Sequence, residues 1–281
     1  MIRCQNVCKS FSGKPVLSGI SFAVPAGEIF GLLGPSGAGK TTLIRILTGQ
    51  LSYEGAASVL CKSVPALTGG DKKKIGVMMD GFGVYERFSC LDNLRIFADI
   101  YGVPHSAVES ALEEVGLRDA AKKPAQRLSK GMRTRLRLAR AFLHAPRIIF
   151  LDEPTGGLDP LTMKSIHKII LEKKNSGCAV FLTTHNMEEA AALCDTVALL
   201  HEGVIVEMGA PGEICRKYNH QKMLRLRLSS GEELRLPHGK ASAGELFSLF
   251  DAGVVETVHS SEPTLETVFL ELTGRNLRED A

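Results

Sequence analysis

The sequence predicts an α/β fold: a mainly parallel sheet with an antiparallel β subdomain, a helical insertion and a small α+β C-terminal extension. Three observations carry this. Short apolar runs at residues 28–33, 148–151 and 179–183 alternate with stretches of helical periodicity, the pattern of a parallel sheet covered by helices. A glycine-rich segment, residues 34–39, sits where one such run passes into a helix. The chain has 281 residues, 44% hydrophobic and 23% charged, which is enough for a real core in one large or two modest domains.

In chain order, residues 2–7 and 20–24 read as strands around the turn Ser12, Gly13, Lys14, Pro15, and suggest a small antiparallel sheet leaning on the main one. The apolar run 28–33 then enters Gly34, Pro35, Ser36, Gly37, Ala38, Gly39, Lys40, Thr41 and Thr42, which fits G-x-x-x-x-G-K-[ST]. Leu43, Ile44, Ile46 and Leu47 follow with helical spacing. Strand, glycine-rich turn and helix together are the setting of a phosphate-binding P-loop. Glycines let the backbone aim successive N–H groups at phosphate oxygens, and the helix N-terminus adds partial positive charge. Lys40 is the residue that reaches the β- and γ-phosphates, and Thr41 offers a hydroxyl to Mg²⁺.

Residues 56–60 and 74–79 read as further strands. Helical periodicity over 91–101 and 106–115, broken at Gly102-Val103-Pro104, marks the helical insertion, and a third helix runs from about 132 to 143. The insertion as a whole spans about 80–145. Ile148-Ile149-Phe150-Leu151 is too short for a helix and ends in Asp152 and Glu153, so two carboxylates stand at the C-terminal end of a buried parallel strand, where ligands of open α/β sheets bind. Asp152 is a candidate Mg²⁺ ligand, and Glu153 a candidate to orient or deprotonate water. A solvated acidic turn is the plainer account, disfavoured by the apolar run before the pair and Pro154-Thr155-Gly156-Gly157 after it.

A helix over 162–174, a strand over 179–183, a helix over 186–194 and a hairpin around Glu202-Gly203 complete the first domain. Beyond residue 216 the pattern changes. Leu224, Leu226 and Leu228 alternate with polar residues, Ser230-Gly231 turns the chain, and Leu234 and Leu236 alternate again: a hairpin with one buried face. A helix near 244–250, a strand over 254–259 and a helix over 264–273 follow. The expected division is 1–215 and 216–281, with the boundary near 215–222.

The net charge of +3 is too small to imply nucleic acid. Arg133, Arg137 and Arg140 share a helical face, best read as solvated or interface-lining because aromatics are not interleaved. Seven scattered cysteines without C-x-x-C spacing read as reduced thiols of a cytosolic protein. No apolar run approaches the length of a membrane span, and the N-terminus lacks a signal-peptide core.

Five motifs in order then narrow the reading: Gly34 to Thr42; Leu128-Ser129-Lys130-Gly131-Met132; IIFLDEP; Gly157-Leu158-Asp159-Pro160; and His185 in LTTHNMEEA. Together, over roughly residues 1–210, they resemble the nucleotide-binding subunit of an ATP-binding-cassette (ABC) transporter, a P-loop NTPase. The resemblance implies ATP and Mg²⁺ as ligands. It makes Glu153 the catalytic carboxylate, assisted by Lys40 and the switch histidine His185. It makes Ser129, Lys130, Gly131 and Asp159 contacts to the ATP of the opposite subunit, and Phe11 an aromatic stacked on adenine. The signature reads LSKGM where the family usually has LSGGQ. Where the family usually carries glutamine, after the strand 74–79, this chain has Asp80, a candidate metal ligand of the wrong charge type. Residues 262–275 resemble the end of ABC-2-type exporter ATPases from drug-resistance and bacitracin- or lantibiotic-immunity systems.

The resemblance implies a homodimer, or a pair with another ATPase subunit, closing on ATP at the cytoplasmic face of the membrane. It would drive a separate integral membrane permease docked on the helical insertion, and no nucleic acid is expected. Two other classes remain: a soluble ABC ATPase acting on ribosomes or nucleic acid, which usually has two cassettes or a long coiled coil, and a P-loop kinase or simple nucleotide-binding module, which needs neither LSKGM nor His185.

Overall fold

The computed structural model describes residues 1–79, 83–220 and 222–274. Asp80 therefore lies outside the described residues. The chain divides into two compact units, Met1–Gly209 and Ala210–Asn276.

The first unit holds two sheets. In chain order its elements are β1 (Ile2–Phe11), β2 (Lys14–Val24), β3 (Ile29–Leu33), α1 (Lys40–Leu47), β4 (Glu54–Val59), β5 (Lys62–Ser63), α2 (Gly69–Lys72), β6 (Ile75–Met78), α3 (Cys90–Tyr101), α4 (Ser106–Glu114), α5 (Lys130–Phe142), β7 (Ile148–Asp152), α6 (Pro160–Asn175), β8 (Ala179–Thr184), α7 (Met187–Leu193), β9 (Thr196–His201) and β10 (Val204–Gly209). The antiparallel sheet runs β2-β1-β4-β5, and the main sheet β10-β9-β3-β8-β7-β6, in which only the pairing of β10 with β9 is antiparallel.

β3 is buried along its whole length, as its uninterrupted apolar run requires of a strand covered on both faces. A buried stack of aromatics joins the two sheets. Phe22 of β2 stacks on Phe30 of β3 with centroids 4.8 Å apart, and Phe30 stacks on Phe181 of β8 at 5.5 Å. Each such ring removes a large apolar area from water, and the pairing adds roughly 0.5–1.5 kcal/mol beyond that burial.

The insertion packs α3, α4 and α5 together. Ser89 caps α3 by accepting from the Asp92 N–H, and Gly102 ends it in the left-handed conformation. Asn93, almost fully buried, donates its amide to the carbonyls of Tyr85, Phe88 and Ser89 and accepts from the Tyr85 N–H, which fixes the loop entering the insertion.

The arginine face of α5 is not a uniformly solvated one. Arg140 is 7% exposed, donates to the carbonyls of Gly83 and Val77, and lies 5.0 Å over the Phe97 ring. Periodicity places three arginines on one face, and tertiary packing turns its C-terminal end inward.

The second unit contains α8 (Pro211–Lys217), β11 (Met223–Leu228), β12 (Glu233–Pro237), α9 (Ala243–Asp251), β13 (Val255–Ser260) and α10 (Leu265–Thr273). Its sheet has the order β12-β11-β13, with Leu226, Leu228 and Leu236 buried and Arg225, Arg227 and Arg235 exposed. The division at Ala210 precedes the expected 215–222 boundary because α8 packs on α10 and belongs with the second unit. Among the described residues no helix is long and apolar enough to cross a membrane.

Candidate functional site

The order β3-β8-β7 puts the C-terminal ends of three parallel strands side by side. Leu33 of β3 is in register with Thr184 of β8, and Thr183 of β8 with Asp152 of β7. The turn after β3, the carboxylates ending β7 and the histidine after β8 therefore converge on one edge, the ligand-binding edge of an open parallel sheet.

The turn after β3 ends at Gly39, the N-cap of α1, with φ 108°. A side chain there is disfavoured twice over: by the left-handed backbone, and because a Cβ would fall 3.0 Å from the Val16 carbonyl oxygen and 2.7 Å from Leu17 Cδ2 of β2. Lys40 begins α1 and is only 7% exposed. Its Nζ donates to the carbonyls of Gly34 at 2.7 Å and Pro35 at 3.1 Å, and stands 3.3 Å from Glu153 Oε1. The ammonium thus lies folded over the loop, with the Glu153 carboxylate as its counter-charge.

Thr41 Oγ1 donates to Asp152 Oδ2 at 2.8 Å, and Thr183 donates to Asp152 Oδ1. Glu153 has φ 48°, a conformation that costs a residue with a side chain of order 1–3 kcal/mol and is held only where its surroundings over-determine it. Here the Glu153 N–H donates to the backbone and side-chain oxygens of Thr183. Glu153 Oε2 meets His185 Nδ1 at 2.8 Å.

The LSKGM segment opens α5. Ser129 is its N-cap, accepting from the Met132 N–H at 3.3 Å. A Cβ on Gly131 would fall 2.7 Å from Thr162 Cγ2 of α6. The start of α5 therefore packs closely on the start of α6 in the same chain. Asp159 is the N-cap of α6. Hydrogen bonds from Thr162 hold its carboxyl below the usual carboxylate range. A cavity of about 350 Å³ is bordered by the carboxylates, lined by Met79, Lys130, Arg133, Arg137, Asp152 and Glu153.

Phe11 ends β1, is 44% exposed, and has Lys9 Nζ 4.9 Å from its ring centroid. Sequence reasoning did not single out Glu189 and His167, which lie beneath the site. Glu189 is buried and accepts from Thr155, Thr184 and His167. Burial pushes its carboxyl up, but the hydrogen bonds from His167, Thr155 and Thr184 outweigh it and hold it lowered. The only signal in the sequence is a second glutamate, one residue after Glu188.

The family model described as ABC transporter matches residues 17–156. A fluoroquinolones export ATP-binding protein of Mycobacterium tuberculosis is 38% identical over 271 residues, covering 95% of this chain and 90% of that protein. The linearmycin resistance ATP-binding protein of Bacillus subtilis is 30% identical over 311 residues, covering 99% of this chain and 100% of that one. A solved ATP-binding subunit of an ABC transporter superposes with a TM-score of 0.69 at 27% identity, covering 78% of this chain and 93% of that one.

Proposed function

Because the chain belongs to the ABC transporter family, as an ATP-binding subunit that hydrolyses ATP, we propose that it powers export through a separate membrane-embedded permease. The observation that supports ATP hydrolysis is the convergence of Lys40, Glu153 and His185 at one sheet edge, with distances of 3.3 and 2.8 Å from the glutamate to its two partners; export is supported by likeness to export and resistance ATP-binding proteins.

In this reading the loop N–H groups of residues 34–42 and the N-terminus of α1 cradle the phosphates, and the Lys40 ammonium leaves its carbonyl partners for the γ-phosphate oxygens. Glu153 accepts a proton from the attacking water and orients it in line. His185, hydrogen-bonded to Glu153 through Nδ1, presents its other ring nitrogen to the γ-phosphate. Phe11 stacks on adenine. Ser129, Lys130, Gly131 and Asp159 serve the ATP of a second subunit.

The Thr41 hydroxyl and the Asp152 carboxylate, 2.8 Å apart, are hard oxygen donors that suit Mg²⁺, an ion held through few protein ligands alongside water and phosphate oxygens. Held by Thr41 and Asp152, the ion would supply positive charge that offsets the negative charge of the phosphates. Among the described residues no larger His/Cys/Asp/Glu cluster competes for it.

The permease would dock on the insertion. A cleft of about 720 Å³ is lined by Ile75 and Val77 of β6 and by Tyr85, Phe97, Ile100 and Tyr101 of the insertion, and Tyr85 and Ile100 are more than half exposed. An apolar, aromatic cleft with a polar rim fits a short amphipathic helix of a partner. The burial of Arg140 removes one cation from any nucleic-acid surface on α5, and no observation favours the ribosome or nucleic-acid reading.

The test is membrane association. The chain should co-sediment with membranes holding its permease, and Ile100→Asp should abolish co-sedimentation and coupled efflux. A protein that hydrolyses ATP yet never associates with membranes or supports efflux would contradict the exporter reading.

A further inference from the structure

We propose that Glu189 is a positioning residue, a buried clamp that holds Glu153 and His185 in mutual register; the proposal rests on the assignment of those two residues to ATP hydrolysis. The Glu189 side chain is fully buried. One carboxylate oxygen accepts from the Thr155 hydroxyl and, at 2.9 Å, from His167 Nε2; the other accepts from Thr184 Oγ1 at 2.9 Å. Thr155 lies two residues beyond Glu153, and Thr184 immediately precedes His185. Both threonines are buried. A single carboxylate therefore ties the turn that carries Glu153 to the strand end that carries His185.

The clamp is itself anchored. The Asn186 N–H donates to Thr184 Oγ1 at 3.0 Å, and Asn186 Oδ1 caps the Glu189 N–H at 3.0 Å, so the helix bearing the carboxylate starts from the same strand end. The opposite side is fixed by hydrogen bonds from Gly156 N–H to the Glu153 carbonyl and from Leu158 N–H to the Thr155 carbonyl. Within this frame Glu153 Oε2 and His185 Nδ1 reach 2.8 Å. Glu153 sits at positive φ, a conformation that needs support from outside its own turn.

Buried, multiply bonded carboxylates of this kind rigidify what they join. Catalysis is sensitive to such placement, because about 1 Å of displacement costs on the order of 100-fold in rate. Glu189 meets neither nucleotide nor water in this role, and so ATP affinity, set by the P-loop, is not its readout.

Thr155→Val and Thr184→Val, near-isosteric changes that each delete one donor, test the clamp, with Glu153→Gln as the control. Each valine variant should lower kcat by about 10- to 100-fold while ATP affinity stays at the parent value. The double variant should fall no further than the weaker single one, because either cut opens the same link. Glu189→Gln, which still accepts from one threonine and donates to the other, should recover part of the activity lost in Glu189→Ala. Valine variants that melt earlier but keep the parent kcat when folded would make Glu189 merely structural and overturn the proposal, provided Glu153→Gln is inactive. A Glu153→Gln protein with the parent rate would instead overturn the underlying assignment, and the clamp with it.

Discussion

Lys40 Nζ and Glu153 Oε1 stand 3.3 Å apart, bringing the P-loop cation and the carboxylate after β7 into one ion pair across the sheet edge. The other oxygen of Glu153 is bonded to His185. In the proposed reading Glu153 is thus shared by the phosphate-binding Lys40 and the phosphate-sensing His185, which is where a general base for hydrolysis would belong. Glu153→Gln should bind ATP and lose turnover by about 10²–10⁴-fold, the range for a general base, and should accumulate an ATP-bound dimer. Equilibrium binding and single-turnover hydrolysis of the variant check this; turnover at the parent rate would remove Glu153 from the chemistry.

Phe11 exposes its ring at the end of β1, with the Lys9 ammonium near it. A base stacked on that ring should contribute about 1–3 kcal/mol. Phe11→Ala should therefore weaken ATP and GTP binding alike, since both bases offer a π face. Nucleotide titration of a folded variant with unchanged affinity would reject the stacking assignment.

Asp80 follows Met79, which lines the cavity bordered by Asp152 and Glu153. A carboxylate near the γ-phosphate is compensated only when metal is bound, and without metal it repels the triphosphate. ATP affinity should thus depend unusually strongly on Mg²⁺, and Asp80→Asn should relax that dependence while slowing hydrolysis if a metal ligand is lost. Titrating ATP with and without Mg²⁺ into both proteins decides the matter. Equal metal dependence would leave Asp80 remote from the nucleotide.

Much of the site is legible in the sequence, for particular reasons. Gly34 to Thr42 and Ile148 to Glu153 are local in sequence, and the strand-then-ligand order of parallel sheets says where their ends lie. Thr41 meets Asp152, and Lys40 meets Glu153, at that edge. What the sequence hides is contact between distant segments. Glu189 reaches back 34 residues to Thr155 and 22 to His167, and nothing in the local pattern marks a buried glutamate among alanines. The inward turn of Arg140 is equally invisible, because periodicity defines a helical face but not what covers it. The boundary shifts to Ala210 because α8 is a seven-residue helix too short to leave a periodic signal, and its packing on α10 decides its allegiance.

The most direct test of the central proposal, that a second subunit completes each ATP site, is specific ATPase activity against protein concentration, with the oligomeric state measured alongside. Ser129 caps α5 and Gly131 lies in its first turn; in the proposed reading that helix N-terminus would serve the partner's γ-phosphate, and a single chain would lack half of each site. The account predicts specific activity that rises with concentration, then levels off as the ATP-bound dimer saturates, with Ser129→Ala lowering the plateau. Activity independent of concentration in a proven monomer would contradict it.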